Sequence, residues 1–249
     1  VMYGCAGACW CPMVTPVVQC GFRPLITGTW WVGLFAILFA LPFGLSVSIY
    51  MSEVANPKVR NWLKPIIELL SGIPSVVYGF FGLIVIVPLI QKLFNLPVGE
   101  SGLAGSIVLA IMALPTIITV TEDAMRNCPR AMREASLALG ASQWQTIYKV
   151  VIPYSISGIT SGVVLGIGRA IGETMAVLMV TGNAAVIPTT ILEPLRTIPA
   201  TIAAELGEAP AGGPHYQALF LLGVVLFFIT LISNFSVEYI SSKGLKRSK

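Results

Sequence analysis

The feature that most constrains this chain is a series of long apolar stretches, each about as long as the 20 residues that a helix needs to cross a bilayer. Hydrophobic residues make up 55% of the 249 residues and charged residues only 10%. The mean hydropathy is +0.84, so too few polar residues remain to cover a soluble core, and most of the chain is expected to lie in lipid. The predicted spans are residues 26–50, 66–91, 103–123, 154–181 and 216–240. The predicted fold class is an all-α polytopic membrane protein.

The distribution of positive charge predicts the orientation. Eleven of the 15 lysines and arginines lie in residues 52–65, 124–153 and the tail 241–249. Because cytoplasmic loops carry an excess of Lys and Arg, these segments are predicted to be cytoplasmic and residues 1–25 to start outside. The predicted domains are an atypical N-terminal segment 1–23, a membrane domain 24–240 and a basic cytoplasmic tail.

Four cysteines mark the N-terminal segment, which has no basic region typical of a signal peptide. Their spacing matches no standard zinc pattern, and the single histidine, His215, lies far along the chain. We therefore predict no metal site, and a disordered start or the remnant of a further span is favoured for this segment. The cysteines are Cys5, Cys9, Cys11 and Cys20.

Soluble-type catalysis has no support in the sequence. One histidine offers no independent Ser–His or Cys–His pair, and no G-x-x-x-x-G-K-[ST] loop for ATP phosphates occurs. We expect no enzyme activity and no bound cofactor. If the chain moves a solute uphill, its energy comes from a partner ATPase or from an ion gradient, and both remain open at this point.

The fourth span carries small residues and then charges. Gly158, Gly162 and Gly166 recur every four residues, which on one helix forms a stripe that allows close helix packing. At about 100° per residue, Arg169 falls roughly 20° and Glu173 roughly 60° from Gly158. A charge near mid-membrane is costly, so Arg169 is predicted to offer its guanidinium to a passing oxyanion, neutralised by Glu173 when no anion is present. The alternative is a purely structural ion pair.

Other polar groups in the spans give weaker signals. Ser75 and Tyr78 lie near the SGIP sequence at 71–74, where the helix is broken or simply kinked by proline. Hydroxyls there and at Thr116 are candidates for an anion path, although such hydroxyls more often bond to their own helix. Glu122 and Asp123 are expected at a solvated or partner-facing edge. Glu68 is the remaining candidate for a buried carboxylate.

Residues 124–153 have the composition of a partner surface, because they are polar, charged and helix-forming between two apolar runs. Gly140 is predicted to end a first helix in a left-handed turn. Trp144 and Tyr148 follow at a spacing of four, so they share a face of a second helix, as an exposed interface anchor or resting on the membrane surface.

The spacing in this segment resembles the EAA loop of ABC-importer permeases, whose pattern is E-A-A, three residues, G, nine residues and I-x-L-P. Here the corresponding residues are Glu134, Ala135, Ser136, Gly140 and Val150–Pro153. In addition, SGIPSVVYGFFGL at 71–83 and GRAIGETMAVLMVTGN at 168–183 resemble motifs of the phosphate-importer permeases of the PstC/PstA type. The residues of these motifs are closer to those of PstC than to those of PstA. The resemblance covers about residues 24–240.

This resemblance implies a type I ABC-importer transmembrane domain. Glu134, Ala135, Gly140, Trp144 and Pro153 are then expected to couple it to an ATPase, and Arg169 and Glu173 to line the path. The implied partners are a second, PstA-like permease, a PstB-like ATP-binding subunit that uses the ATP, and an extracellular PstS-like phosphate-binding protein. The family usually has six spans with both ends inside, so a first span is missing or residues 1–22 replace it.

The binding protein is expected to dock on residues 184–215. A short interfacial helix is predicted there, with Leu195, Ile198, Ile202 and Leu206 on one side. Two alternatives remain: a permease for another oxyanion such as molybdate or sulfate, and an ion-coupled secondary transporter or membrane scaffold. A secondary transporter is expected to show internal repeats with paired broken helices, and no clear repeat is visible.

Overall fold

The computed structural model describes residues 10–11 and 19–247, and they are almost entirely helical. Five helices in the described part are long and apolar enough to cross a membrane, which confirms the predicted fold class and number of spans. Cys5 and Cys9 lie outside the described residues, as do the side chains of Cys11 and Cys20, so the prediction for the N-terminal cysteines is untested. The span-length helices are Arg23–Val54, Ser75–Phe94, Gly102–Arg126, Gln143–Ile171 and Pro214–Ser236.

A pair of two-residue strands precedes the helices. The strands β1 (Trp10–Cys11) and β2 (Gln19–Cys20) pair antiparallel. The α-helices are α1 (Arg23–Ile49), α2 (Pro57–Gly72), α3 (Ser75–Phe81), α4 (Val87–Phe94), α5 (Gly102–Arg126), α6 (Arg130–Ala138), α7 (Gln143–Thr146), α8 (Ile152–Ile171), α9 (Met175–Val180), α10 (Ile198–Glu205) and α11 (Pro214–Arg247). The longest connection between helices, residues 181–197, lies between α9 and α10. Wider π-helical turns at Tyr50–Val54, Gly82–Ile86 and Ile147–Val151 continue or join these helices.

The predicted span 66–91 is wrong at its start. The helix is broken between Gly72 and Ser75, and the span begins at Ser75. Pro74 has an extended ψ of 141° and no N–H to donate, and a proline disfavours the helical conformation of the residue before it. The SGIP sequence therefore separates the amphipathic helix α2 from the spanning helix rather than kinking one helix.

The predicted span 154–181 is also wrong as a single helix. It begins earlier, at Gln143, and α8 ends at Ile171. Residues 172–174 are not helical, and the Glu173 carboxylate accepts a hydrogen bond of 3.3 Å from the backbone N–H of Ala176 in the first turn of α9. Glu173 therefore lies in a helix break instead of on the glycine face, and the angle calculated for it does not apply.

The chain divides into two compact units. The first contains the described parts of Val1–Leu38, Ile73–Ile111 and Arg169–Leu231. One cluster of its core joins α1, α10 and α11 through Leu25, Ile198 and Leu222. The short helix predicted in residues 184–215 is α10, and its apolar side packs within the unit: Leu195 and Ile198 have no exposed surface, and the N–H of Ile198 donates to Thr29 Oγ1 at 3.0 Å. Its position at the membrane interface stays a prediction.

The second unit contains Phe39–Gly72, Met112–Gly168 and the described part of Ile232–Lys249. Here the glycines of α8 lie against α5. A Cβ added at Gly158 would meet Ala124, one at Gly162 would lie 2.9 Å from Thr121 Oγ1, and one at Gly166 would lie 2.6 Å from Ile117 Cγ1. The two helix backbones approach so closely that no side chain fits between them at these positions.

We predict that Gly162→Val destabilises the protein by about 1–3 kcal/mol, because the added methyl groups overpack the α5–α8 contact. Gly168→Val is the matched control on the same helix, since a Cβ at Gly168 meets no atom within 4 Å. Thermal unfolding in detergent measures both variants. An equal loss of stability at Gly162 and Gly168 would contradict close packing as the cause.

Candidate functional site

The segment that resembles an EAA loop folds as two short helices, α6 and α7, joined at Gly140. Gly140 has a φ of +84°, which confirms the predicted left-handed turn. Its N–H donates to Leu137 O at 2.9 Å, and the N–H of Ala141 donates to Ser136 O at 3.2 Å. These two bonds form a Schellman motif, which satisfies carbonyls that the end of α6 would otherwise leave open.

The second helix of the segment has a defined start and leads directly into a span. Ser142 and Gln145 form a capping box, with Ser142 Oγ accepting from Gln145 N–H and the Gln145 side chain accepting from Ser142 N–H. The hydroxyls of Ser136 and Thr146 lie 3.0 Å apart and link α6 to α7. Pro153 is the second residue of α8, directly after a π-helical turn, so α7 continues into the span Gln143–Ile171. We call residues 130–153 the coupling segment.

The coupling segment exposes apolar side chains beside charges. Leu139 is 90% exposed, Trp144 62% and Tyr148 69%, while Glu134 and Ala135 are exposed on α6. Trp and Tyr are enriched among the residues that anchor protein interfaces. An exposed patch of this kind marks an interaction surface, although no described contact tests whether a partner protein or lipid covers it.

We predict that Gly140→Ala weakens the binding of a partner to the coupling segment. A residue with a Cβ is strained at positive φ, by about 1 kcal/mol, while a Cβ at Gly140 meets no atom within 4 Å, so the effect is on the turn alone. Co-purification of the partner ATPase measures it. Gly72→Ala, where a Cβ also meets nothing within 4 Å, is the control that should leave binding unchanged.

The predicted path residues of the first unit are Arg169, Glu173 and Ser75. Arg169 lies in the last turn of α8, where the negative end of the helix dipole favours a cation, and it is half-buried. Tyr78 is a buried residue of α3 in the same unit. Ser75 is the half-buried first residue of that helix, directly after Pro74.

The helix break at Glu173 is surrounded by cavities of the first unit. A cavity of about 10 Å³ is lined by Glu173, Thr29 and Thr197 among others, and the Thr197 hydroxyl is buried without a hydrogen-bond partner. A larger, mostly apolar cavity of about 450 Å³ is lined by Gly172 and Thr174 together with residues of α10 and Leu226 of α11. Space and polar groups therefore lie next to the break that follows Arg169.

Thr116 belongs to the second unit, where it is half-buried on α5. The neighbouring Thr119 donates its hydroxyl to Pro115 O at 2.8 Å, which is the local bonding that the sequence analysis gave as the alternative for such residues. The role of Thr116 in a path stays a prediction.

Glu122 of the second unit is a buried carboxylate and Glu68 is not, so the expectations for Glu122 and Glu68 were wrong. Glu68 is exposed on α2, whereas the Glu122 side chain is 1% exposed. Arg60 donates from Nε and Nη2 to Glu122 Oε1, both at 2.8 Å, and Lys64 Nζ lies 3.1 Å from Oε2. Arg60 and Lys64 are about 60 residues away from Glu122 in sequence, so no local pattern indicated that they would meet.

Lys64 joins the cluster to Asp123, from which its Nζ lies 2.6 Å. The hydrogen bond to Asp123 is the main cause that raises the pKa of Lys64, Glu122 adds to it, and partial burial opposes it. Since this pKa is higher in the folded protein, the stabilisation is complete below the pKa of an unfolded lysine. It is lost as the pH rises through the folded pKa.

We predict that Glu122→Gln lowers the free energy of unfolding by about 1.5–3 kcal/mol, because it removes the charged acceptor of Arg60 and Lys64. The melting temperature in detergent measures the loss. Glu68→Gln on α2 is the control and should melt within a degree or so of the wild type. A Glu122→Gln protein that melts with this control would show that the cluster adds nothing to stability.

The fold is that of the transmembrane domains of ABC importers. A chain of the inward-facing MetNI methionine ABC transporter superposes with a TM-score of 0.67 at 18% identity, over 89% of this chain and 96% of that one. A bacterial ABC transporter for the acidic polysaccharide alginate superposes with a TM-score of 0.64 at 16% identity, over 89% of this chain and 79% of that one.

A family model described as "Binding-protein-dependent transport system inner membrane component" matches residues 40–244. The chain therefore belongs to this family of multi-pass membrane proteins, whose members are transport components rather than enzymes. The probable ABC transporter permease protein YqgH of Bacillus subtilis (strain 168) is 41% identical, covering 90% of this chain and 72% of the relative. The phosphate transport system permease protein PstC of Mesorhizobium japonicum is 38% identical, covering 83% and 69%.

Proposed function

We propose that this chain is the permease subunit of an ATP-driven phosphate importer. The observation that carries the proposal is Arg169, held half-buried in the last turn of α8 shortly before the helix break at residues 172–174. The guanidinium is a planar fork that suits phosphate oxygens. Relatives named PstC, at 34–38% identity, support phosphate as the cargo.

The energy is supplied by a partner. An ATP-binding subunit of the PstB type docks on the exposed face of the coupling segment, around Glu134 and Trp144, on the cytoplasmic side. The chain itself binds no nucleotide in this proposal. A second, PstA-like permease completes the path, and an extracellular PstS-like protein delivers phosphate to the opposite side. The exposed apolar residues of the coupling segment support the docking site.

Transport then follows from the position of the arginine. Closure of the ATPase moves the coupling segment, and the spans open the path to the outside. Phosphate is held by the Arg169 guanidinium, with the hydroxyls of Tyr78 and Ser75 in the same unit as candidate hydrogen-bond partners. Glu173 lies in the break and balances the charge of Arg169 when no anion is bound. Reopening of the ATPase releases phosphate to the inside.

We predict that Arg169→Gln abolishes phosphate uptake and leaves assembly intact, because glutamine stays polar and removes the charge and the fork. Uptake of radiolabelled phosphate into proteoliposomes that contain the whole complex measures it. Arg23→Gln is the matched control, since Arg23 is an exposed arginine of the same unit.

Arg169→Lys should give intermediate uptake, since it keeps the charge without the fork. Normal uptake by the Arg169→Gln complex would refute the anion path. Sulfate and molybdate are tested in parallel at millimolar concentration, with their own binding proteins absent. Transport of either anion in preference to phosphate would show that this anion, and not phosphate, is the cargo.

A further inference from the structure

Both helices of the coupling segment bond to the same residue outside it, Glu53. Arg133 of α6 places Nη2 at 3.0 Å from Glu53 Oε1. Gln143 of α7 donates from Nε2 to the main-chain oxygen of Glu53 at 3.1 Å. All three residues belong to the second unit. The two halves of the segment are thus fastened to one point of the chain, by a side chain and by the backbone.

The Glu53–Arg133 ion pair is partly buried, and both side chains make further hydrogen bonds. The Glu53 side chain is 8% exposed and also accepts a hydrogen bond of 2.9 Å from Ser52 Oγ. Arg133 Nη2 donates to the carbonyl of Met125 at 2.8 Å, so the same guanidinium reaches the last turns of α5. Charge-assisted hydrogen bonds in a region of low dielectric constant are strong, and separating this pair would leave a buried charge without its partner.

Glu53 lies at the end of a membrane span rather than in a flexible loop. It is part of the π-helical turn Tyr50–Val54, in which the N–H of Ala55 closes onto Tyr50 O at 2.8 Å. Before this turn, α1 continues as one helix back to Arg23. Single π-helical turns are rare and occur frequently at functional sites. The coupling segment is therefore attached to the π-helical turn that ends the helix containing α1.

Docking and transmission involve different side chains. The exposed residues of the segment, such as Glu134, Leu139 and Trp144, form the surface for the ATPase. The Glu53 carboxylate is buried and takes no part in that surface. We propose that Glu53 and Arg133 are positioning residues that transmit the movement of the ATPase from the coupling segment to α1. This inference rests on the proposed function, because it assumes an ATPase on the segment.

The experiment uses the complete complex with Glu53→Gln, Arg133→Gln and both together. ATPase co-purification should equal that of the wild type, and basal ATP hydrolysis should persist. Stimulation of hydrolysis by the loaded binding protein, and phosphate taken up per ATP, should each fall about tenfold in either single variant. The double variant should be no worse than the worse single one, because the two residues act as one pair. Glu68→Gln, an exposed carboxylate of the same unit, is the control and should behave as the wild type.

Three results would overturn the inference. Near-normal stimulation and uptake per ATP in both single variants would show that the pair transmits nothing. A loss in the double variant equal to the product of the single losses would show that the two residues act separately. Loss of co-purification would show that the pair serves folding or docking. A wild-type complex that takes up no phosphate would refute the proposed cargo instead, and stimulated ATP hydrolysis would still test the pair.

Discussion

In hydrocarbon, a backbone N–H or C=O without a partner costs several kcal/mol, and the rest of this structure depends on that constraint. It explains why the described chain is almost entirely helical, and why the places where a helix stops are informative. At Pro74 the chain is extended, and a new helix, α3, begins with Ser75 and carries the buried Tyr78. At residues 172–174 the Glu173 carboxylate supplies the acceptor that the first turn of α9 needs. The helix breaks and the candidate site residues therefore coincide.

The low dielectric constant of hydrocarbon also determines where charged side chains are stable. A charged side chain is stable near a membrane span only where an opposite charge or a helix end compensates it. Glu122 is buried among Arg60 and Lys64, Glu53 is paired with Arg133, and Arg169 lies at the carboxyl end of a helix. The first two arrangements tie elements of the second unit together. The third places a guanidinium close to the helix break at residues 172–174.

The coupling segment combines both constraints. The sequence spacing predicts the helix–turn–helix form of the coupling segment. A helix ends in a left-handed turn at Gly140, and a second helix follows. The attachment of the segment is not visible in that spacing, since Gln143 bonds to a residue 90 positions earlier. The exposed residues of the coupling segment are thus carried by two short helices that are both bonded to Glu53. In the proposed function, this attachment lets the surface move together with the helix whose last turn contains Glu53.

The outcomes for individual elements follow a pattern. The number of spans and the Gly140 turn were predicted correctly, because apolar length and a glycine at a helix end act locally. The single helix 154–181 was wrong, because hydropathy continues through the break at Gly172 while the backbone does not. The short helix α10 was predicted correctly, but the sequence did not indicate that α1 and α11 cover its apolar residue Ile198. The prediction that Glu68 is a buried carboxylate was wrong for a related reason. Its side chain is exposed, whereas the side chain of Glu122 is buried.

The sequence by itself determined that this chain spans a membrane, that it presents a coupling segment of fixed spacing, and that an arginine follows a stripe of glycines. These properties depend on composition and on residues a few positions apart. Only the tertiary structure decided which carboxylates are buried, where the spans break, and which residue fastens the coupling segment to α1. Those outcomes depend on partners 60 to 90 residues away, and a charge becomes buried only where the folded chain brings its partner within hydrogen-bonding distance.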